Sequence, residues 1–227
     1  MSARRPLFLC ILLLLPALLA ARVEADSDLP GDPEGAVATC FDGDTLKLRD
    51  RRVIRLAGID TPELNRRENK PQYYAREASA ILTAMTRGQK IRLRAAGKES
   101  RDRYGRLVAE VLLPGGESVN EAMIARGAAF FSYHDGLDAD LVRRLLSLQS
   151  QAIAERRGMW ARLLSLPQAQ ETYVGNRNSR RFFLSDSPES RKIKPRNRVF
   201  FGNLMDAFMA GYAPARTKKG SALWPDS

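Results

Sequence analysis

Between residues 36 and 59 the chain has room only for short strands that fold back on one another. Three strand-like runs, at 36–41, 45–48 and 53–59, are separated by Asp42-Gly43 and by residues 50–52. Turns this short join neighbouring strands as hairpins. A helix is predicted over 72–86, where Ala75, Ala78, Leu82 and Met85 recur at helical spacing. Strand patterns return at 90–94 and 107–113, the second ended by Pro114-Gly115-Gly116. Ser118, with Glu121 three residues on, forms a capping box for a short helix to Arg126, and Gly127 stops it. A long amphipathic helix follows over 138–157, with Trp160 packing behind it. Five short strands with one inserted helix and further helices at the end predict an α+β fold, a small barrel with helical buttresses.

The two ends of the chain carry different signals. Arg4 and Arg5 precede an uncharged, leucine-rich run over 6–21, and Val23-Glu24-Ala25 offers a small-residue cleavage site. Residues 1–25 therefore read as a signal peptide. The run contains Pro16 and falls short of the roughly 20 residues a spanning helix needs. Export to the periplasm or the medium is expected, with no stable membrane association after cleavage. Residues 26–35, acidic and rich in Pro and Gly, read as a lead-in. Cys40 is the only cysteine beyond the leader, so stability must come from packing and not from an internal disulfide. The formal charge is +11 for the whole chain and +9 without the leader. From Thr172 onward there are 11 basic and 4 acidic residues, leaving only +2 on residues 26–171. Such a tail suits a polyanion such as nucleic acid, although excess surface charge alone also accounts for it.

Two carboxylate turns stand out. Asp42-Gly43-Asp44-Thr45 lies between strands, and Asp60-Thr61-Pro62-Glu63 follows the third. At one end of a barrel, Asp44 and Asp60 can surround a hard cation, which takes oxygen ligands. Thr61, held extended by the proline after it, can add its carbonyl. Zinc and copper are disfavoured because both turns lack Cys and His. Taken singly, such aspartates are more often turn formers. Arg55 interrupts an apolar strand and needs an anionic partner, while Arg106 closes Asp102-Arg103-Tyr104-Gly105-Arg106. Two guanidinium groups near a carboxylate-bound cation suit phosphodiester hydrolysis, since they clamp the phosphate and stabilise the charge that builds on it. The plainer alternatives are an Arg55–Asp60 ion pair and a solvated Arg106. His134 is the only histidine, so the base must be a carboxylate acting on water, and Glu63 is the candidate.

These residues fall into a recognisable set. D-G-D-T at 42–45, R-L-A-G-I-D-T-P-E at 55–63, E-A-S at 77–79, D-R-Y-G-R at 102–106, V-N-E-A at 119–122 and G-M-W at 158–160 resemble the staphylococcal nuclease family. The resemblance spans a domain at 36–162 and implies a five-stranded OB-fold barrel with about three helices. It implies Ca²⁺ on Asp44, Asp60 and the Thr61 carbonyl, Glu63 activating water, and Arg55 and Arg106 on the phosphate. Asp42 would support the metal ligands from behind, and Tyr104 and Tyr133 would lie near the substrate. The implied function is an exported, Ca²⁺-dependent endonuclease on DNA or RNA that leaves 3′-phosphate ends. The competing class is a non-catalytic nucleic-acid-binding OB-fold protein. The loop after Glu63 differs from the type member.

A second module is expected at 172–219, joined by a linker at 163–171. Tyr173-Val174-Gly175-Asn176, Lys194-Pro195-Arg196-Asn197-Arg198-Val199 and Ala210-Gly211-Tyr212-Ala213-Pro214 resemble the small zinc module related to the Ada DNA-repair N-terminal domain. Phe183, Ser187, Ala215 and Lys218 stand where that module carries its ligands, so no zinc is expected there. Its role is either a nucleic-acid handle or a decayed appendage. The sequence does not fix the oligomeric state.

Overall fold

The computed structural model describes residues 34–64 and 71–216. The leader, most of the loop after Glu63 and Lys218 lie outside the described residues. The chain runs β1 (Glu34–Cys40), β2 (Thr45–Leu48), β3 (Val53–Leu56), β4 (Ile59–Asp60), α1 (Ala75–Thr86), β5 (Lys90–Ala95) and β6 (Leu107–Leu112). Next come α2 (Val119–Ala125), β7 (Phe130–Phe131), α3 (Ala139–Ala154) and α4 (Trp160–Leu163). The C-terminal part holds β8 (Tyr173–Asn176), β9 (Arg181–Leu184), α5 (Pro188–Arg191), β10 (Arg198–Phe201), α6 (Leu204–Met209) and β11 (Ala213–Pro214). None of these helices is long and apolar enough to cross a membrane.

Strands β1, β2, β3, β6 and β5 close into a barrel in that order, the five-stranded OB-fold expected. All neighbours are antiparallel except β3 and β6. Alternating residues fill the interior: Leu46, Leu48, Ile54, Leu56, Ile91 and Val111 are fully buried. Helix α2 is capped by Ser118, whose Oγ accepts from the Glu121 backbone N–H. The Glu121 carboxylate pairs with Arg144 of α3, which ties the two helices together.

Of the predicted boundaries that shift, two do so for a clear local reason. The run 53–59 was expected to be one strand, but Gly58 adopts φ 72° and turns the chain between β3 and β4. Only glycine takes this conformation without strain, and a Cβ there would lie 2.7 Å from Leu145 Cδ1. The turn frees β4 to pair with β7, Asp60 opposite Phe130. Helix α1 starts at Ala75 rather than near 72 because Tyr74 is left-handed, with φ 68°. Gln72 serves another purpose: its Oε1 accepts from the Glu63 N–H at 2.6 Å, and its own N–H donates to the Glu63 carbonyl at 2.9 Å.

The stretch 163–171 is not a free linker. Leu163 and Ala169 are buried in a second core, with Phe130, Met159 and Trp160 on one side and Tyr173, Phe182, Phe201, Phe208 and Tyr212 on the other. Phe208 sits at its centre, edge-on to Trp160 at 4.8 Å and to Phe182 at 5.2 Å between ring centroids. Buried Gln149 of α3 adds a polar clamp, accepting from the Phe131 N–H and donating to the Phe208 carbonyl, each at 2.7 Å. The C-terminal sheet, ordered β10-β8-β9-β11, is therefore packed onto the barrel's helical side through side chains from both parts.

Candidate active site

The site forms where the turn before β2 meets β3 and β4. Gly43 makes this approach possible: a Cβ there would lie 2.8 Å from Ala78 Cβ and 2.9 Å from Thr61 Cγ2, so a side chain would push the two turns apart. Asp44 and Asp60 are 5 % and 2 % exposed. One nitrogen of Arg55, Nη2, lies 3.2 Å from Asp44 Oδ2 and 3.1 Å from Asp60 Oδ1. The Arg55 Nη1 donates to the Leu56 carbonyl, which fixes the guanidinium between the two acids. The ion pair anticipated as the plain role of Arg55 is thus present, and it includes both aspartates.

Among the described residues, the close partners of the Asp44 carboxylate are all donors. Its Oδ1 accepts from Thr45 Oγ1 at 2.9 Å, and its Oδ2 from the Thr61 N–H and hydroxyl at 3.1 and 3.2 Å. Asp42 Oδ1 accepts from the Asp44 N–H and so shapes the turn from behind. Even so, burial pushes the Asp44 carboxyl up to about 7; Arg55 opposes this, and Asp42 and Asp60 add to it. Burial acts the same way on Asp60, but Arg55, Arg216 and Arg181 outweigh it and hold that carboxyl below the usual range. Partial burial raises Glu63, with Arg216 opposing and Asp60 and Asp42 adding.

The remaining predicted residues lie around this pair at different ranges. Glu63 is linked through a shared cation, since Arg216 Nη2 is 2.6 Å from Asp60 Oδ1 and 3.0 Å from Glu63 Oε1. Arg106 is not a free turn residue: its Nε and N–H donate to the two oxygens of Asp102 at 2.7 and 3.0 Å. That aims Nη1 at Thr45 Oγ1, 3.5 Å away, beside Asp44. Tyr104 is largely exposed, with the Arg106 guanidinium 5.3 Å from its ring centroid. Tyr133 is half-buried and faces Arg180 at 5.9 Å. Among the described residues, the His134 ring lies within hydrogen-bonding range of the Asp135 carbonyl in its own loop.

Sequence reasoning missed two participants. Arg181 on β9 donates to Ser132 Oγ at 2.9 Å and reaches Asp60 Oδ2 at 3.5 Å. Arg216 follows β11. Both belong to the segment whose charge was read only in bulk, and the alternating Arg181-Phe182-Phe183-Leu184 pattern marks a strand without showing where its arginine leads. Of the presumed lost zinc positions, Ser187 caps α5 by accepting from the Ser190 N–H.

A hard cation fits this chemistry. The donor set is all oxygen, and a buried carboxylate raised to about 7 is a charge that a cation would stabilise. Asp44 and Asp60, with the Thr61 carbonyl, are the residues that would hold it. Among the described residues no three His, Cys, Asp or Glu side chains are grouped to hold a metal, so carbonyls and water must complete the shell.

Comparison with known proteins places the chain in a family. Residues 53–162 match the family described as staphylococcal nuclease homologue. An uncharacterized endonuclease of Escherichia coli O157:H7 is 34 % identical over 136 residues, covering 59 % of this chain and 80 % of that protein. A thermonuclease of Staphylococcus hyicus is 32 % identical over 128 residues, covering 55 % of this chain and 74 % of that protein. The endonuclease YhcR of Bacillus subtilis is 26 % identical over 211 residues, 82 % of this chain, which spans only 17 % of the length of that relative. With its closed five-stranded barrel, paired carboxylate turns and two relatives matched over most of their length, the chain belongs to the staphylococcal nuclease family.

Proposed function

We propose that this protein is an exported, Ca²⁺-dependent phosphodiesterase that cuts DNA or RNA endonucleolytically and leaves 3′-phosphate ends. The observation that carries the reading is the single Arg55 nitrogen within 3.2 Å of two buried carboxylates on separate turns. A pairing of this kind, both acids desolvated and one guanidinium between them, adds little stability over apolar packing, which supports a functional use. When bound, the cation supplies positive charge against the charge that develops on the phosphoryl oxygens. Asp44, Asp60 and the Thr61 carbonyl hold it, and Asp42 keeps the Asp44 turn in shape. Arg55 and Arg106 bind the phosphate, Arg106 held by Asp102. Glu63, kept above its ordinary range by burial, takes the proton from the attacking water. Tyr104 and Tyr133 flank the path of the substrate. The leader-like segment at 1–25 supports release to the periplasm or the medium.

The absence of a three-carboxylate cluster among the described residues favours, as a second reading, a nucleic-acid-binding OB-fold without catalysis. One assay separates the two. The full chain is incubated with single-stranded DNA and RNA, with Ca²⁺ or a chelator, from pH 6 to 9. Cleavage is expected only with Ca²⁺. Because Asp44 must lose its proton to ligate, half-saturating Ca²⁺ falls about tenfold per pH unit up to roughly pH 7 and then levels off. Binding without cleavage at any pH supports the second reading, and cleavage unaffected by chelator overturns the Ca²⁺ requirement.

A further inference from the structure

We infer that the C-terminal unit completes the active site, and that Arg216 is a third substrate-binding guanidinium. The inference rests on the nuclease reading and extends it to a segment outside the barrel. Strand β11 runs parallel to β9 with Ala213 opposite Arg181, so the chain leaving β11 passes beside the strand that supplies Arg181. Arg181 is anchored on the same face by Ser132 Oγ at 2.9 Å and the Pro214 carbonyl at 3.3 Å. The second core fixes this sheet against β7, whose partner β4 carries Asp60. The position of Arg216 over the acids therefore follows from packing and not from a loose tail lying across the barrel.

Arg216 is more exposed than Arg181. Its side chain is 63 % exposed, and its ion pairs are with Asp60 and Glu63. The Glu63 arm of this pairing, exposed on both sides, contributes little to stability, whereas the Asp60 arm meets a buried carboxylate. Asp60 Oδ1 accepts from both Arg55 and Arg216, which occupies both of its lone pairs. Were Asp60 to ligate a cation, Arg216 would have to give up that carboxylate, while Arg55 is also held by the Leu56 carbonyl. The displaced guanidinium would remain tethered at the mouth, beside the proposed base. Its planar fork matches two oxygens of a phosphate, which a carboxylate-rich site must otherwise repel. Arg55 and Arg106 are each held by a group outside the acid pair, the Leu56 carbonyl and Asp102, whereas both carboxylate partners of Arg216 belong to the site itself.

The test uses calorimetry on the full chain and needs no turnover. Ca²⁺ is titrated first, and thymidine 3′-phosphate, which has no diester to cut, is then titrated in saturating Ca²⁺. Arg216→Ala is compared with the unmodified protein and with Arg196→Ala, which removes an exposed arginine of the same unit outside the site. Arg216→Ala is expected to weaken nucleotide binding about tenfold, the loss of one charge-assisted pair, and to bind Ca²⁺ at least as tightly. Arg196→Ala stays within about twofold of the unmodified protein. Nucleotide affinity within twofold in Arg216→Ala overturns the inference, as does an equal loss in Arg196→Ala. Weaker Ca²⁺ binding in Arg216→Ala also overturns it. A chain that never cleaves removes the proposed function, whereas this binding comparison stands or falls separately.

Discussion

Arg55→Ala is expected to lower cleavage by about a thousandfold or more, the scale on which preorganised charge acts at a reacting phosphate. The same change acts on the fold. Arg55 is the cation between two carboxylates that are almost fully buried, and removing one partner of such a group costs about 3–5 kcal/mol. The pH dependence identifies the cause. The Asp44 carboxyl sits near 7 in the folded chain against an ordinary 3.8. The folded state therefore binds the proton more tightly, and this contribution to stability is full below the ordinary value and lost as pH rises through about 7. Without Arg55 the charged form is harder still to bury. The gap between Arg55→Ala and the unmodified protein should be largest at pH 8 and shrink as the solution is acidified. Urea unfolding in chelator at pH 8 and pH 5 measures both; a gap that does not change with pH contradicts this assignment.

Asn120→Ala is expected to cost about 3 kcal/mol or more without touching the site. Asn120 is fully buried on α2. Its Oδ1 accepts from the Val111 N–H at 2.9 Å, and its Nδ2 donates to the Ala57 and Ala109 carbonyls at 2.8 and 3.3 Å. These groups lie along β6 and at the end of β3, the one parallel seam of the barrel. Alanine removes the partner of the buried Val111 N–H and Ala57 carbonyl, each loss costing about 1–3 kcal/mol, while the Ala109 carbonyl keeps the Ala57 N–H. Denaturant unfolding should show a lower midpoint with an unchanged slope, and a loss below about 1 kcal/mol would contradict the role.

The V-N-E-A segment shows how much the sequence revealed. Its presence marked the family, yet the asparagine's work is invisible without the seam it bridges. The barrel strands and the two main C-terminal helices of the domain were legible because short-range signals fix them: Asp42-Gly43 as a turn, Ser118 as a cap, and the apolar periodicity of 138–157. The split at Gly58 was not, because a glycine inside an apolar run reads equally as strand or turn until β7 offers β4 a partner. The gathering of Asp44, Arg55 and Asp60 was anticipated from residue type and order. Arg181 and Arg216 were not, since their approach to Asp60 depends on the second core built by Phe208, Trp160 and Phe182, a long-range event that no local pattern announces. The stretch at 163–171 reads as a linker for the same reason.

In the proposed function, Glu63 decides whether the site hydrolyses or only binds. It is half-exposed, its backbone is fixed by Gln72, and alanine there should leave the fold intact. The direct measurement is single-turnover cleavage of a labelled oligonucleotide in Ca²⁺ by the unmodified chain and by Glu63→Ala, with binding measured alongside. The expected result is a loss of about 10²–10⁴-fold in rate, the range for a positioned general base, with oligonucleotide affinity retained. Equal rates in the two proteins would contradict the account.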